Sequence, residues 1–231
     1  MLYNTFLIFL IISAIIIIIV DIYNNIIIKN DIIINYNEKI LSCSPKILYL
    51  HNFITEEEAK YCISYIDHYN EVSRVMDNNN NNSLIDNIRS SKTTIMNIKN
   101  NHIINIENKI IKYISTNILN IEKIQGVRYE KDQQYLPHCD FFDENHPEVK
   151  LSGNRIKTII IYLNDVPKEA GGGTYFPYID LRIQPKKLDA IYFENLRNGK
   201  LDINSLHTGE KIIGDNKKYI LNVWIREKEY R

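Results

Sequence analysis

The sequence contains little cysteine and no excess of charge. Its three cysteines, Cys43, Cys62 and Cys139, are widely spaced and include no Cys-x-x-Cys pair. An odd number of scattered thiols cannot make a complete disulfide framework, and it cannot supply a thiolate zinc site. The 28 basic side chains are balanced by 28 acidic ones. Because a nucleic-acid-binding protein needs clustered basic charge to displace counterions from phosphates, the composition argues against nucleic acid as a partner.

Two common metal signatures are missing as well. Catalytic zinc on a helix would show an HExxH pattern, and calcium would need an oxygen-rich loop. The sequence has neither. The length of 231 residues also excludes two complete enzymatic domains, since single domains most often run to about 100–200 residues. We therefore expect one domain with an appendage.

The N-terminal segment is the longest apolar run. Residues 2–22 are mainly apolar, with four polar or charged interruptions, and about 20 such residues are enough for a helix to cross a bilayer. A cleaved signal peptide would have a basic start and a small-residue cleavage site, and both are missing here. The pattern predicts a transmembrane signal anchor over residues 1–22 and a stalk or linker over residues 23–45.

Helical periodicity gives way to alternation along the rest of the chain. Thr55 and Glu58 match a capping box ahead of one helix, and isoleucines spaced three and four apart predict a second helix over about residues 102–119. After Gln125, alternating patterns predict strands at 126–130, 158–163, 190–193 and 219–225. Helices first and strands afterwards favour an α+β fold, in which the strands close into a sandwich or jelly roll.

Two histidines and an aspartate indicate a metal site. His138 and Asp140 are two residues apart on a predicted strand or strand end, so their side chains emerge on the same face. His207, 67 residues after Asp140 (207 − 140), precedes the final strands. Two imidazoles and one carboxylate leave one face of a metal open, as in non-haem Fe(II) oxygenases. The open alternative is that the HxD pair arises by chance and that each histidine only caps a strand or satisfies a carbonyl group.

Six segments surround these residues in a characteristic order. They are Arg128-Tyr129, QQYLPHCD (133–140), RIKTIIIYLN (155–164), GGTYFP (172–177), LDAIYF (188–193) and SLHTGEKIIGDNKKYILNVWIR (205–226). Together they resemble the catalytic domain of the prolyl 4-hydroxylases, which are 2-oxoglutarate- and Fe(II)-dependent dioxygenases. The resemblance extends back to Ile88–Ser91 and covers roughly residues 46–229. It implies a double-stranded β-helix, a jelly-roll-like barrel, preceded by packing helices.

Carried over residue by residue, the resemblance implies roles for eight side chains. The iron ligands would be His138, Asp140 and His207, the contacts of 2-oxoglutarate would be Tyr129, Thr158 and Lys218, and the contacts of the substrate would be Arg155 and Trp224. For the last two and for Thr158, an ordinary packing role is the alternative. The departures from the family pattern include Asp132 and Leu188, where the family usually or often has glycine. None of these departures removes a predicted ligand, so we expect the enzyme to be active. Its preference among peptide substrates can differ from that of the family.

The lysine that would bind the distal carboxylate of 2-oxoglutarate has two possible registers. Counting ten residues forward from His207 gives Lys217, whereas counting back six from Trp224 gives Lys218. We favour Lys218, because the strand from Tyr219 onward then fits the family without a gap. The extra residue falls in the 214–216 turn, where an insertion costs little.

The implied reaction is the hydroxylation of peptidyl proline in a collagen-like or proline-rich substrate. It would use Fe(II), 2-oxoglutarate, O2 and ascorbate, and it would decarboxylate 2-oxoglutarate to succinate. Polyproline II segments suit such an open groove. One alternative is a related oxygenase that acts on another residue or on a small molecule. Another is a catalytically silent, membrane-anchored binding module, which the intact set of predicted ligands argues against.

Two arguments about membrane orientation disagree. The sparse lysines after the predicted anchor, Lys29, Lys39 and Lys46, favour a cytoplasmic domain. The resemblance to collagen-type enzymes of the secretory pathway implies a lumenal one instead. We therefore predict a single-pass membrane protein with a catalytic domain in the endoplasmic reticulum lumen. Asn81, an N-x-S acceptor in an asparagine-rich predicted loop, would then be open to glycosylation.

Overall fold

The computed structural model describes residues 37–73, 75–76, 83–84 and 88–231. The helices within these residues are α1 (Glu56–Tyr69), α2 (Asn101–Ile114) and α3 (Pro147–Ser152). The strands are β1 (Glu38–Cys43), β2 (Lys46–Leu50), β3 (Glu71–Val72), β4 (Val75–Met76), β5 (Ser83–Leu84), β6 (Lys92–Ile95), β7 (Gln125–Tyr129), β8 (Tyr135–His138), β9 (Arg155–Tyr162), β10 (Thr174–Phe176), β11 (Leu181–Ile183), β12 (Ala190–Glu194), β13 (Leu196–Arg197), β14 (Lys200–Leu201), β15 (His207–Gly209) and β16 (Lys218–Arg226).

Two antiparallel sheets contain most of these strands. The major sheet has the order β1-β2-β12-β9-β16-β7-β6-β3, and the minor sheet has the order β11-β10-β15-β8. Strands that are adjacent in the chain often belong to different sheets, as in a jelly roll. The predicted jelly roll is therefore confirmed as a mostly β fold with few helices. The four strands expected from alternation correspond to β7, β9, β12 and β16.

Helices α1 and α2 cover one face of the major sheet. The capping box at the start of α1 is present: the Glu58 amide donates to Thr55 Oγ1 at 3.3 Å, and the Thr55 amide donates to Glu58 Oε2 at 2.7 Å. Apolar side chains of both helices are buried in one core with residues of β9 and β16, among them Cys62, Ile66, Ile103, Ile106, Ile110, Ile159, Ile161, Leu221 and Val223. Burial of this stripe, more than helix propensity, holds helices of this length in place.

The second helix is shorter than its sequence pattern predicts. It ends at Ile114, because Ser115 adopts a left-handed conformation (φ 49°, ψ 52°) and its amide donates back to the Ile111 carbonyl. This is a common way for a helix to stop. Residues Ile118–Asn120 then form a separate 3₁₀ turn.

A second core fills the space between the two sheets. Strand β16 contributes to both cores, since Leu221 and Val223 face the helices and Ile220 faces the minor sheet. All nine residues of β16 are buried. A strand that is covered on both faces is expected to have a mainly apolar sequence, and β16 does. Side chains alternate along a strand, so Lys218 and Asn222 share the inner face with Ile220. Polar groups are thereby brought into the interior of the barrel.

Strand β1 falls within the stretch that the sequence predicts as linker. Residues Glu38–Cys43 pair with β2, with one bulge between Ile40 and Ser42. The folded unit thus begins earlier than residue 46. The rest of the predicted linker, up to residue 36, lies outside the described residues.

The predicted anchor over residues 1–22 and the predicted loop around Asn81 also lie outside the described residues. Within the part that is described, no helix is long and apolar enough to span a bilayer. Helices α1 and α2 have 14 residues each, which is about 21 Å at 1.5 Å per residue, against a hydrocarbon core of about 30 Å. This finding contradicts the predicted single-pass membrane localisation.

Candidate active site

The three predicted metal ligands meet between the two sheets. Strand β8 ends at His138, β15 begins at His207, and the antiparallel register pairs these two residues. Asp140 follows two residues after β8. His138 Nε2 lies 3.7 Å from Asp140 Oδ1, and His207 Nε2 lies 3.9 Å from Asp140 Oδ2. One potential ligand atom from each residue lies within 4.8 Å of the others, which is close enough to share one metal ion.

Both imidazoles are held in the tautomer that a metal requires. His138 Nδ1 lies 2.9 Å from the Leu136 carbonyl, and His207 Nδ1 lies 3.0 Å from the Ser205 carbonyl. A carbonyl oxygen can only accept, so each Nδ1 carries the proton and each Nε2 keeps its lone pair. Burial, together with the facing His207, lowers the pKa of His138 to about 3. His138 is therefore neutral at physiological pH and able to bind a cation.

Asp140 is buried yet ionised. Burial on its own would raise the pKa of the carboxyl group, but His207, His138 and Arg155, together with a hydrogen bond from Thr158, hold it below its ordinary value. The Thr158 hydroxyl donates to Asp140 Oδ2 at 2.7 Å and accepts from Asn195 Nδ2 at 3.1 Å. This pair of bonds fixes the carboxylate that completes the donor set.

The position of Thr158 differs from the one that the resemblance implies. Its single hydroxyl proton is donated to Asp140, and Thr158 does not contribute to the wall of the cavity beside the metal ligands. Thr158 thus supports Asp140 in this structure, and its contact with 2-oxoglutarate stays a prediction.

A cavity opens beside the three ligands. Its wall is formed by Tyr129, Tyr135, His138, Asp140, Ile160, Thr174, His207, Gly209, Lys218, Ile220 and Asn222. Lys218 is 2 % exposed and, among the described residues, has no hydrogen bond or ion pair; the face of the Tyr129 ring lies 5.5 Å from its ammonium group. Lys217 points outward instead, 3.8 Å from Glu130, with about half of its side chain exposed. Of the two registers considered, only Lys218 reaches the cavity.

Tyr129 lies opposite Lys218 on the neighbouring strand β7. Burial raises the pKa of its hydroxyl group, while Arg89 and hydrogen bonding with Ser91 act in the opposite direction. Arg89 is buried, donates to Gln125 Oε1 at 2.9 Å, and stacks 4.9 Å above the Tyr135 ring. Sequence analysis reached Arg89 only as part of the family resemblance and gave it no role.

Arg155 and Trp224 form one stack next to Asp140. The Arg155 guanidinium lies 3.9 Å from the Trp224 ring centroid and binds Glu122 through two nitrogens, at 2.7 and 2.9 Å. It also donates to the Asp140 carbonyl at 3.4 Å. Trp224 is buried, and its indole Nε1 has no hydrogen-bond partner within the described chain. Glu122 was missed by sequence analysis, because a lone glutamate before a strand gives no local signal.

These features define a class of protein. A jelly roll that presents two imidazoles and one carboxylate on one side of a cavity has the facial donor set of the non-haem Fe(II) oxygenases. The buried, unpaired ammonium group of Lys218 adds a site for an anion in the same cavity.

Comparison with known proteins narrows the class. Residues 124–226 match the 2OG-Fe(II) oxygenase superfamily. "Probable prolyl 4-hydroxylase 8" of Arabidopsis thaliana is 33% identical over 214 residues, which cover 83% of this chain and 72% of that protein. The viral collagen prolyl hydroxylase of Paramecium bursaria Chlorella virus-1, solved with 2-oxoglutarate, is 25% identical with a TM-score of 0.60, over 78% of this chain and 95% of that one. A Trichoplax adhaerens prolyl hydroxylase, 16% identical over 78% of this chain and 83% of that one, has a TM-score of 0.59 and supports the fold alone.

The chain belongs to the prolyl 4-hydroxylase family of 2-oxoglutarate- and Fe(II)-dependent dioxygenases. It is an enzyme of the oxidoreductase class that uses Fe(II) and 2-oxoglutarate, as the sequence predicted. The donor set suits this metal, since Fe(II) is accommodated by two imidazoles and a carboxylate with open positions. The unpaired Lys218 suits the cosubstrate, because a buried cation without a counter-charge is costly.

Proposed function

We propose that this enzyme hydroxylates prolyl residues in an extended, collagen-like or proline-rich peptide. The balanced reaction converts peptidyl proline, 2-oxoglutarate and O2 into peptidyl hydroxyproline, succinate and CO2. The observation that carries the proposal is the position of Lys218. Its buried ammonium group has no anionic partner among the described residues and lies in the cavity beside two histidines and an aspartate. An iron-only or structural metal site would not need that cation.

In this proposal His138, Asp140 and His207 hold the iron. Fe(II) with bound 2-oxoglutarate supplies the oxidation of an unactivated C–H bond. The protein contributes the orientation of the ligands, since the Leu136 and Ser205 carbonyls fix the two imidazoles and Thr158 fixes the carboxylate. Outer partners of this kind commonly change metal affinity or activity by about 10–100-fold.

Lys218 and Tyr129 bind the distal carboxylate of 2-oxoglutarate in this proposal. They face each other across β16 and β7, so an ammonium donor and a hydroxyl donor can reach the same carboxylate. Charge-assisted hydrogen bonds of this type are roughly twice as strong as neutral ones. The cavity wall beside them includes the apolar side chains of Ile160 and Ile220.

Arg155 and Trp224 bind the peptide substrate in this proposal. The Arg155 side chain is 15 % exposed, so its guanidinium is the part of the stack that a peptide can reach, and the buried Trp224 ring supports it from behind. Glu122 holds Arg155 by two hydrogen bonds, so the guanidinium is kept flat against the indole ring. The collagen-directed activity named for the viral relative supports a proline-rich substrate.

The proposal is tested by a succinate-release assay. The purified chain is given Fe(II), 2-oxoglutarate, O2 and ascorbate with a collagen-like peptide, a proline-rich peptide, and matched peptides in which alanine replaces proline. We expect succinate release that depends on proline, with a gain of one oxygen atom in the peptide by mass spectrometry. Succinate release without peptide oxidation would indicate another substrate, and no release with bound iron and 2-oxoglutarate would indicate a silent binding module.

The affinity for 2-oxoglutarate should depend on pH through Lys218. Burial lowers its pKa to about 7, with Glu210 acting weakly in the opposite direction. The bound carboxylate favours the ammonium form, so the affinity is full below about pH 7 and falls above it, by up to about tenfold per pH unit. Calorimetry on Mn(II)-loaded protein, in buffers of different ionisation enthalpy, should show one proton taken up above pH 7. A constant affinity from pH 6 to pH 9 would contradict this assignment, and Lys218→Arg, charged throughout, should show no such dependence.

A further inference from the structure

Asn222 offers a second unpartnered polar group to the cavity. It is 7 % exposed and contributes to the cavity wall, and its carboxamide has no hydrogen-bond partner among the described residues. Because no described protein group pairs with this carboxamide, a molecule bound in the cavity can supply its hydrogen-bond partner. The sequence pattern does not distinguish Asn222, since asparagine is abundant in this chain and the neighbouring residues of β16 are apolar.

The sheet register places Asn222 toward the metal end of the cavity. It is the next inward residue before Trp224, and Trp224 pairs with Thr158, whose hydroxyl is bonded to Asp140. Lys218 lies four residues away in the other direction, about 13 Å along the strand. The inner face of β16 therefore presents an ammonium group at one end of the cavity and a neutral amide nearer to the metal ligands.

The two ends of 2-oxoglutarate differ in a way that matches the two ends of the cavity. One end is a lone carboxylate, which needs a cation, and the other end combines a carboxylate with a 2-oxo group, which together bind a metal. Once the metal has taken most of that negative charge, the remaining lone pairs need a neutral donor rather than a second cation. A carboxamide has two N–H donors for this purpose.

We propose that Asn222 is a positioning residue that donates a hydrogen bond to the metal-chelating end of 2-oxoglutarate. This inference rests on the proposed function, in which Lys218 binds the opposite end. The pair Lys218 and Asn222 then fixes the direction in which the cosubstrate enters and the rotation of its chelating atoms around the metal. Asn222 acts on the cosubstrate and has no contact role toward the peptide.

The test compares Asn222→Val with Asn222→Thr, which have nearly the same shape and differ by one hydroxyl donor. Binding of 2-oxoglutarate is measured without O2, on protein loaded with Fe(II) or Mn(II). A hydrogen bond to a charged group contributes about 1.5–3 kcal/mol, so Asn222→Val should lose at least about tenfold in affinity, and Asn222→Thr should lose clearly less. Asn222→Asp should lose the most, because it places a negative charge against the chelating carboxylate. The affinity for Mn(II) alone should be unchanged in the Val and Thr variants.

The second readout is the visible charge-transfer absorption of the Fe(II)–2-oxoglutarate chelate at saturating 2-oxoglutarate. Loss of a hydrogen bond at the chelating end should shift this band in Asn222→Val, whereas Lys218→Met, altered at the far end, should keep the wild-type band once saturated. Wild-type affinity or an unshifted band in Asn222→Val would overturn the inference, as would equal behaviour of the Val and Thr variants. If Lys218→Met also binds 2-oxoglutarate normally, the proposed placement of the cosubstrate itself is at fault.

Discussion

Replacement of Asp140 by alanine is expected to abolish turnover and to release most of the bound iron. Asp140 is the carboxylate in the predicted donor set, and one of its oxygens lies within 4 Å of the His138 imidazole and the other within 4 Å of the His207 imidazole. The variant leaves two histidines close together without an anion to neutralise the metal charge. Loss of an outer hydrogen-bond partner alone costs about 10–100-fold in metal affinity or activity, and loss of the ligand should cost more. Succinate release and metal content, measured on the same sample, check this result.

Two neighbours supply controls for Asp140. Cys139 stands between two predicted ligands in the chain but does not line the cavity, so Cys139→Ser should keep iron and activity. Thr158→Val removes the 2.7 Å hydrogen bond to Asp140 and should give an intermediate loss. Near-wild-type turnover by Asp140→Ala with iron bound would remove this residue from the donor set. His138→Ala and His207→Ala should behave like Asp140→Ala.

The metal donor set could be anticipated from the sequence for a physical reason. Two strand residues separated by one residue point to the same face of the sheet in any β fold. The HxD spacing therefore places two of the three predicted ligands, His138 and Asp140, on one face. The distant His207 could be proposed as the third ligand only from its residue type, its place before the final strands and the family resemblance, because long-range strand pairing leaves no local trace. The structure supplies that link as the antiparallel pairing of His207 with His138.

The supporting contacts could not be predicted in the same way. Thr158 was expected at the cosubstrate, and in the structure its hydroxyl donates to Asp140, which lies 18 residues earlier in the chain. Glu122 and Arg89 are recruited from outside the motif segments and become visible only as buried partners of Arg155 and Gln125. Such roles depend on which side chains a three-dimensional packing brings together, and no spacing rule encodes them.

Two departures from the family pattern, Asp132 and Leu188, can be explained by the backbone conformation at these positions. Asp132 and Leu188 stand where the family usually or often has glycine, and both have positive φ, 63° and 71°. A left-handed backbone favours glycine, and aspartate tolerates it better than leucine does. The left-handed backbone conformation is thus kept at both positions, although glycine, which adopts it most easily, is replaced. This agrees with the expectation that these changes leave the predicted ligands in place.

Lys218 presents the clearest conflict between stability and function in the chain. A buried ammonium group without a counter-charge destabilises the folded state, and burial lowers its pKa from 10.5 to about 7. A lysine with a lowered pKa in the folded state binds fewer protons there than in the unfolded chain, so its cost is greatest at low pH and fades as the pH rises above 7. The enzyme would keep this group only for an anion that binds it, which is the role proposed for the distal carboxylate of 2-oxoglutarate.

Lys218→Met should therefore separate the two effects. Methionine is unbranched and of similar reach, so the cosubstrate-free variant should unfold at the same or a higher denaturant concentration than the wild type, particularly below pH 7. Its affinity for 2-oxoglutarate should fall at least about thirtyfold, since removing one partner of a buried charge pair costs about 2–5 kcal/mol. Lys217→Met is the matched control: this neighbour is half exposed beside Glu130, and its loss should leave the affinity for 2-oxoglutarate unchanged. A larger effect from Lys217→Met than from Lys218→Met would mean that the strand register, and the cosubstrate site built on it, is wrong by one residue.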